Sequence, residues 1–146
     1  MAKKAAGEKV TRINRAAATP AADIERYCRG LNDWPRSWMG LEKDVAPGEK
    51  LVGCFRPFLE HLARSAELSP KTIQKHVDHL WVLGGEIIRD LHETPSLRKK
   101  NIEQVLLDVI DEEGGPLIYG VSSEQQQRSF DATCRKLHKF FSQHSR

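Results

Sequence analysis

Residues 68–91 read LSPKTIQKHVDHLWVLGGEIIRDL, and how this stretch folds decides the architecture of the whole chain. The Ser69 hydroxyl can accept from the unbonded N–H groups of a first helical turn, and Pro70 sits where a missing N–H costs nothing. No further proline occurs before Pro95. In between, Ile73, Val77, Leu80, Trp81, Ile87, Ile88 and Leu91 recur at helical spacing, which predicts one long amphipathic helix. Gly84 falls in the middle of that stripe, where a missing side chain lets another helix approach closely, and Gly85 points outward. His76 borders the stripe, with His79 further round toward solvent.

Upstream, residues 48–66 (GEKLVGCFRPFLEHLARSA) place Leu51, Val52, Phe55, Phe58, Leu59 and Leu62 on one helical face. Pro57 inside that pattern predicts a kink or a late helix start. A short helix fits residues 22–31, where Ile24, Tyr27, Cys28 and Leu31 share a spacing, and Trp34 and Trp38 should cap one end of the core. Downstream, Thr94-Pro95 opens a short turn that ends in Arg98, Lys99 and Lys100. Asn101 with Gln104 reads as a capping box for a helix over 101–113, stopped by Gly114, Gly115 and Pro116. PLIYGV (116–121) is a lone extended candidate. Ser122 with Gln125 opens a last helix to about Gln143, with Phe130, Cys134, Leu137, Phe140 and Phe141 inward. The expected fold is therefore all-α: a single small bundle of four longer helices plus short helical turns, spanning residues 21–146.

Residues 1–20 carry Lys3, Lys4, Lys9, Arg12 and Arg15 against Glu8 and have few apolar groups to bury, so a flexible, basic, disordered arm is expected there. The net charge of +3 thus conceals a basic arm, a mildly acidic middle and a basic final segment. Three cysteines without CxxC spacing suggest neither disulfides nor zinc, and are expected to be reduced core or boundary residues. His76, Asp78 and His79 lack a third convergent ligand, so no metal and no cofactor is expected. No apolar run is long enough to span a bilayer and no hydrophobic leader follows the first lysines, which suits a soluble cytoplasmic protein. Nucleophile elbows, phosphate loops and dinucleotide fingerprints are missing, so the expectation is that the chain is not an enzyme.

Residues 55–91 resemble the N-terminal core-binding domain of tyrosine recombinases, the phage-integrase family. Phe58, Leu59 and Leu62 match that family's first helix, and Leu68, Ser69, Thr72, Ile73 and Leu80 match its second. The resemblance covers about a quarter of the chain. It implies an all-helical module that clamps duplex DNA mostly through backbone contacts. The family's catalytic domain has no counterpart here: His61-Leu-Ala-Arg64 and Tyr119 lack the setting for strand cleavage, and His61 and Arg64 read as the polar side of a helix. Residues 62–84 are also similar to the LuxR-like helix-turn-helix. That likeness implies that Lys71, Thr72, Lys75 and His76 meet phosphates or base edges, with Gln74 and His79 as nearby polar groups. The combined expectation is a non-catalytic binder of double-stranded DNA, accessory or regulatory to mobile DNA, with Lys3, Lys4, Lys9, Arg12 and Arg15 of the arm as further contacts. The rival is an antitoxin-like or adaptor module for a protein partner, using Trp34, Trp38, Val82 and Gly85 as a contact patch.

Overall fold

The computed structural model describes residues 24–118 and 123–144. It is a small all-α fold with five α-helices among those residues: α1 (Trp34–Trp38), α2 (Val45–Ala63), α3 (Pro70–Glu93), α4 (Ile102–Val109) and α5 (Glu124–His144). Short 3-10 turns at Leu31–Asp33, Glu42–Asp44 and Pro95–Lys99 join them. The arm, Tyr119 and Ser122 lie outside the described residues.

Residues Pro70–Glu93 form one unbroken helix. Ser69 is extended and its Oγ accepts from the Thr72 N–H at 3.1 Å, so the expected cap is in place. Ile73, Val77, Leu80, Leu83, Ile87 and Leu91 point inward. They meet Phe55 and Phe58 of α2, Leu106 of α4 and Phe130 and Leu137 of α5 in one continuous apolar cluster. Trp81 departs from the expected stripe: it is 43% exposed, and Leu83 takes the inward position.

Elsewhere the element bounds differ from the expected ones for local reasons. Proline neither delays nor interrupts α2, which begins at Val45. Pro47 occupies its first turn, where the N–H would be unbonded in any case. The carbonyl that Pro57 cannot satisfy belongs to Gly53, which is exposed to water. The helix expected over 22–31 is a single turn in its described part, closed by Cys28 N–H on Ile24 C=O at 2.9 Å. The run Gly30, Asn32 and Asp33 before Pro35 competes with helix and turns the chain instead. Helix α4 stops at Val109, short of the expected 113, because Asp111 Oδ1 takes the N–H groups of Glu113 (2.8 Å) and Gly114 (3.1 Å) into a tight turn. Gly114 there has φ +144°, which only glycine adopts readily. The Asn101 cap accepts from Glu103 N–H at 2.8 Å, but Gln104 turns away to Asp108 and leaves the capping box half made. The cap of α5 is Ser123, whose Oγ accepts from Gln126 N–H at 3.1 Å, one residue later than expected.

Residues 115–118 form no regular element. The Gln127 side-chain amide of α5 brackets them, donating to Pro116 C=O (3.0 Å) and accepting from Ile118 N–H (3.0 Å), as a neighbouring strand would.

Trp34 and Trp38 do pack at one end of the core, with ring centroids 5.7 Å apart. The Trp38 indole lies directly over Gly84, where a Cβ would come within 2.1 Å of the ring. Trp38 Nε1 donates to Trp81 C=O and Trp81 Nε1 donates to Ser37 Oγ, both at 2.9 Å, so α1 and α3 are tied reciprocally. The close approach anticipated at Gly84 is therefore made by an indole.

A buried carboxylate ties the other end of α3. Asp44, with no exposed surface, accepts from Arg98 Nη2 (2.7 Å), His92 Nε2 (2.7 Å), and the N–H groups of Gly40 and Leu41 (2.8 Å each). Burial by itself would raise the carboxyl, but the hydrogen bonds from Arg98, Leu41, His92 and Gly40 outweigh it and hold Asp44 well below the usual carboxylate range. Four segments meet on this one side chain.

Candidate nucleic-acid interface

The first half of α3 presents two faces. Lys71, Gln74 and Lys75 are exposed, with Gln74 Nε2 donating to Asp78 Oδ1 at 3.1 Å. Thr72 is half-buried and its Oγ1 is bonded to Ser69 Oγ at 3.0 Å, which makes it part of the cap. The two histidines belong to the inner face. His76 is 6% exposed and His79 is half-buried, and both turn Nδ1 to the Thr133 hydroxyl of α5, at 2.6 and 2.7 Å. His79 also meets Phe130 edge to face. Their expected place at a DNA surface is corrected accordingly: the helical wheel places His76 on a border, and the packing of α5 closes that border.

A hydroxyl has one proton, so Thr133 donates to one imidazole and accepts from the other. The two rings are therefore in opposite tautomers. Burial, Lys136, His79 and Lys75 together push His76 down from 6.5 to about 4. Burial and then Lys75 lower His79 as well, with Asp78 opposing. In the unfolded chain the histidines take up protons near pH 6.5, whereas in the folded chain His76 resists until about pH 4. The unfolded state thus binds more protons between those limits, and stability falls as pH drops through them. At about 1.4 kcal/mol per pH unit for one such group, the loss by pH 5 should be on the order of 2 kcal/mol. Urea unfolding at pH 7.5, 6 and 5 measures it. The His76→Gln variant should show a distinctly flatter pH dependence, and an unchanged slope would remove His76 from the account.

Lysines flank this latch from both helices. Lys75 of α3 and Lys136 of α5 both act electrostatically on His76. Lys71 is one turn before Lys75, and Lys139 follows Lys136 on the same face of α5. Lys136 and Lys139 also border Ser65, Glu67 and Leu68 in the loop that leads into α3. The structure thus brings Lys75 and Lys136 to one histidine, and sequence reading counted Lys136 only as part of a basic final segment. Lys3, Lys4, Lys9, Arg12 and Arg15 lie outside the described residues.

Of the patch expected for a protein partner, Trp34 and Val82 line one open depression together with Trp81. Trp34, Trp38 and Val82 pack partly buried on the core, and Gly85 is half-covered by the Trp38 ring. The three thiols are free; burial raises Cys28 and Cys54 to about 11 and Cys134 to about 12, which leaves each protonated at neutral pH. Among the described residues no three His, Cys, Asp or Glu side chains converge as a metal-holding group. No helix among them is long and apolar enough to cross a membrane. No family model, curated protein or solved structure matches the chain.

Proposed function

We propose that this chain is a non-catalytic module that binds duplex DNA through its phosphate backbone, along the surface where the first half of α3 meets α5. The observation that carries this reading is that Lys75 of α3 and Lys136 of α5 both act electrostatically on His76 of the His76–Thr133 latch, with Lys71 and Lys139 one turn along their own helices. Two rigid helices hold these cations, so their spacing costs little to organise on binding. The arm residues Lys3, Lys4, Lys9, Arg12 and Arg15 would add contacts along the duplex, as other basic arms do. An accessory or regulatory role beside mobile DNA fits the resemblance to recombinase core-binding domains, because such a module positions DNA without cutting it.

Binding to phosphates releases counterions, so affinity should fall steeply with salt. Neutralising the four lysines to glutamine in the full chain should flatten the slope of log K against log salt by about 3 to 4, roughly one per lost phosphate contact. Fluorescence anisotropy with a random duplex between 50 and 300 mM salt, as chosen concentrations bracketing the range where the effect is about a thousandfold or more, reads this directly. A variant that retains the wild-type slope and affinity overturns the assignment of this face. Absence of duplex binding by the full chain even at the lowest salt overturns the function itself.

A further inference from the structure

At the opposite end of α3 from these lysines, a pocket of about 250 Å³ opens between the start of α2 and the Pro95–Lys99 turn. Leu91 and Ile102, both buried, and the half-buried Leu97 give it an apolar floor. Its rim holds Lys43, Lys50, Arg98 and Lys100, and no carboxylate is among the residues that line it. Arg98 is anchored from behind by Asp44 Oδ1 through Nη2, which leaves the other donors of its guanidinium fork for a ligand. Lys100 is paired with Asp108 at 3.0 Å on the exposed surface. Lys43 and Lys50 have no ion-pair partner among the described residues.

We propose that this pocket binds a small organic anion, a carboxylate or phosphate head group carried on a short apolar body. The two halves of the site select that combination. Lys43 and Lys50, unpaired among the described residues, leave the concavity net positive, which disfavours a cationic ligand and attracts an anionic head, and Arg98, held on a buried carboxylate, offers a pre-positioned donor. The apolar floor disfavours a bare inorganic ion, which would lose hydration against Leu91, Leu97 and Ile102 without gaining a partner there. A short alkyl or aryl group suits it, and the volume corresponds to roughly eight waters at about 30 Å³ each. Ala46 and Pro47 in the first turn of α2 and Asn101 and Ile102 at the start of α4 also line the pocket. This site is separate from the proposed DNA face and does not rest on that reading.

Titration of isotope-labelled full-length protein with sodium octanoate and with phenyl phosphate, followed by amide chemical shifts, tests the proposal. At least one of the two should move the amides of Leu97 and Ile102 saturably, and whichever does so names the head group. Octylammonium and inorganic phosphate should leave those amides in place. The double variant Lys43→Gln, Lys50→Gln removes two exposed cations without touching the core, and it should weaken binding about tenfold. The proposal is overturned if neither organic anion binds, if octylammonium binds as well as octanoate, or if the double variant, shown by its spectrum to be folded, binds as the wild type does.

Discussion

Gly84→Ala is expected to destabilise the fold by about 2 kcal/mol, although a glycine-to-alanine change inside a helix ordinarily stabilises by about 1 kcal/mol. The sign is decided by Trp38. A methyl on Gly84 would lie 2.1 Å from the indole, with two further ring atoms within 2.7 Å. The ring must therefore move, and moving it breaks the Nε1 bond to Trp81 C=O. Gly85 offers the contrast within the same helix, since its added Cβ meets Trp38 at an ordinary 3.4 Å. Gly85→Ala should accordingly stabilise by about 0.5–1 kcal/mol through helix propensity alone. Chemical denaturation of the two variants separates clash from propensity. In a Trp38→Ala background the penalty at Gly84 should vanish and the propensity gain should emerge, a coupling that a double-mutant cycle reads directly. Equal effects at Gly84 and Gly85 would remove the indole from the explanation.

Asp44→Asn should cost about 3 kcal/mol or more at neutral pH. The substitution keeps the shape and removes the charge. One amide nitrogen must then face donors, either Arg98 on one side or His92 and the Gly40 and Leu41 N–H groups on the other. Arg98 is also left without its anion in a partly covered site, which is the expensive half of breaking a buried pair. The folded carboxyl sits below its unfolded value near 3.9, so its contribution is complete above that value and is lost as pH falls toward the folded one. Wild-type protein should therefore lose this stability only in strong acid, and Asp44→Asn should lack that acid limb. Thermal unfolding from pH 7 down to pH 2 measures both features. A difference at neutral pH below about 0.5 kcal/mol, the range of ordinary surface changes, would contradict the role given to this carboxylate.

The long helices were legible because their signals are local. Ser69-Pro70 and the following apolar stripe specify α3 from neighbouring residues, and Phe130, Cys134 and Leu137 do the same for α5. Boundaries were less legible where one side chain redirects the backbone. Asp111 ends α4 early by capturing two N–H groups, and Pro47 is no obstacle once it is seen to occupy a first turn. Asp44 left no readable signal: its side-chain partners His92 and Arg98 stand 48 and 54 residues away. The candidate site divides in the same manner. Lys71 and Lys75 followed from a local pattern, whereas the joint action of Lys75 and Lys136 on His76 depends on how α5 packs against α3. His76 was placed on the border of the stripe and His79 toward solvent, because a helical wheel cannot know which of its borders a second helix will cover.

The single hydroxyl of Thr133 shared by two imidazoles also acts as an alignment key. Sliding α5 along α3 by one turn, about 5.4 Å, would bring Phe130 or Leu137 toward the two ring nitrogens and strand all three polar groups in apolar surroundings. Greasy contacts alone would tolerate several such registers, and this polar latch admits one. The distance between Lys75 of α3 and Lys136 of α5 is thereby set as on a ruler.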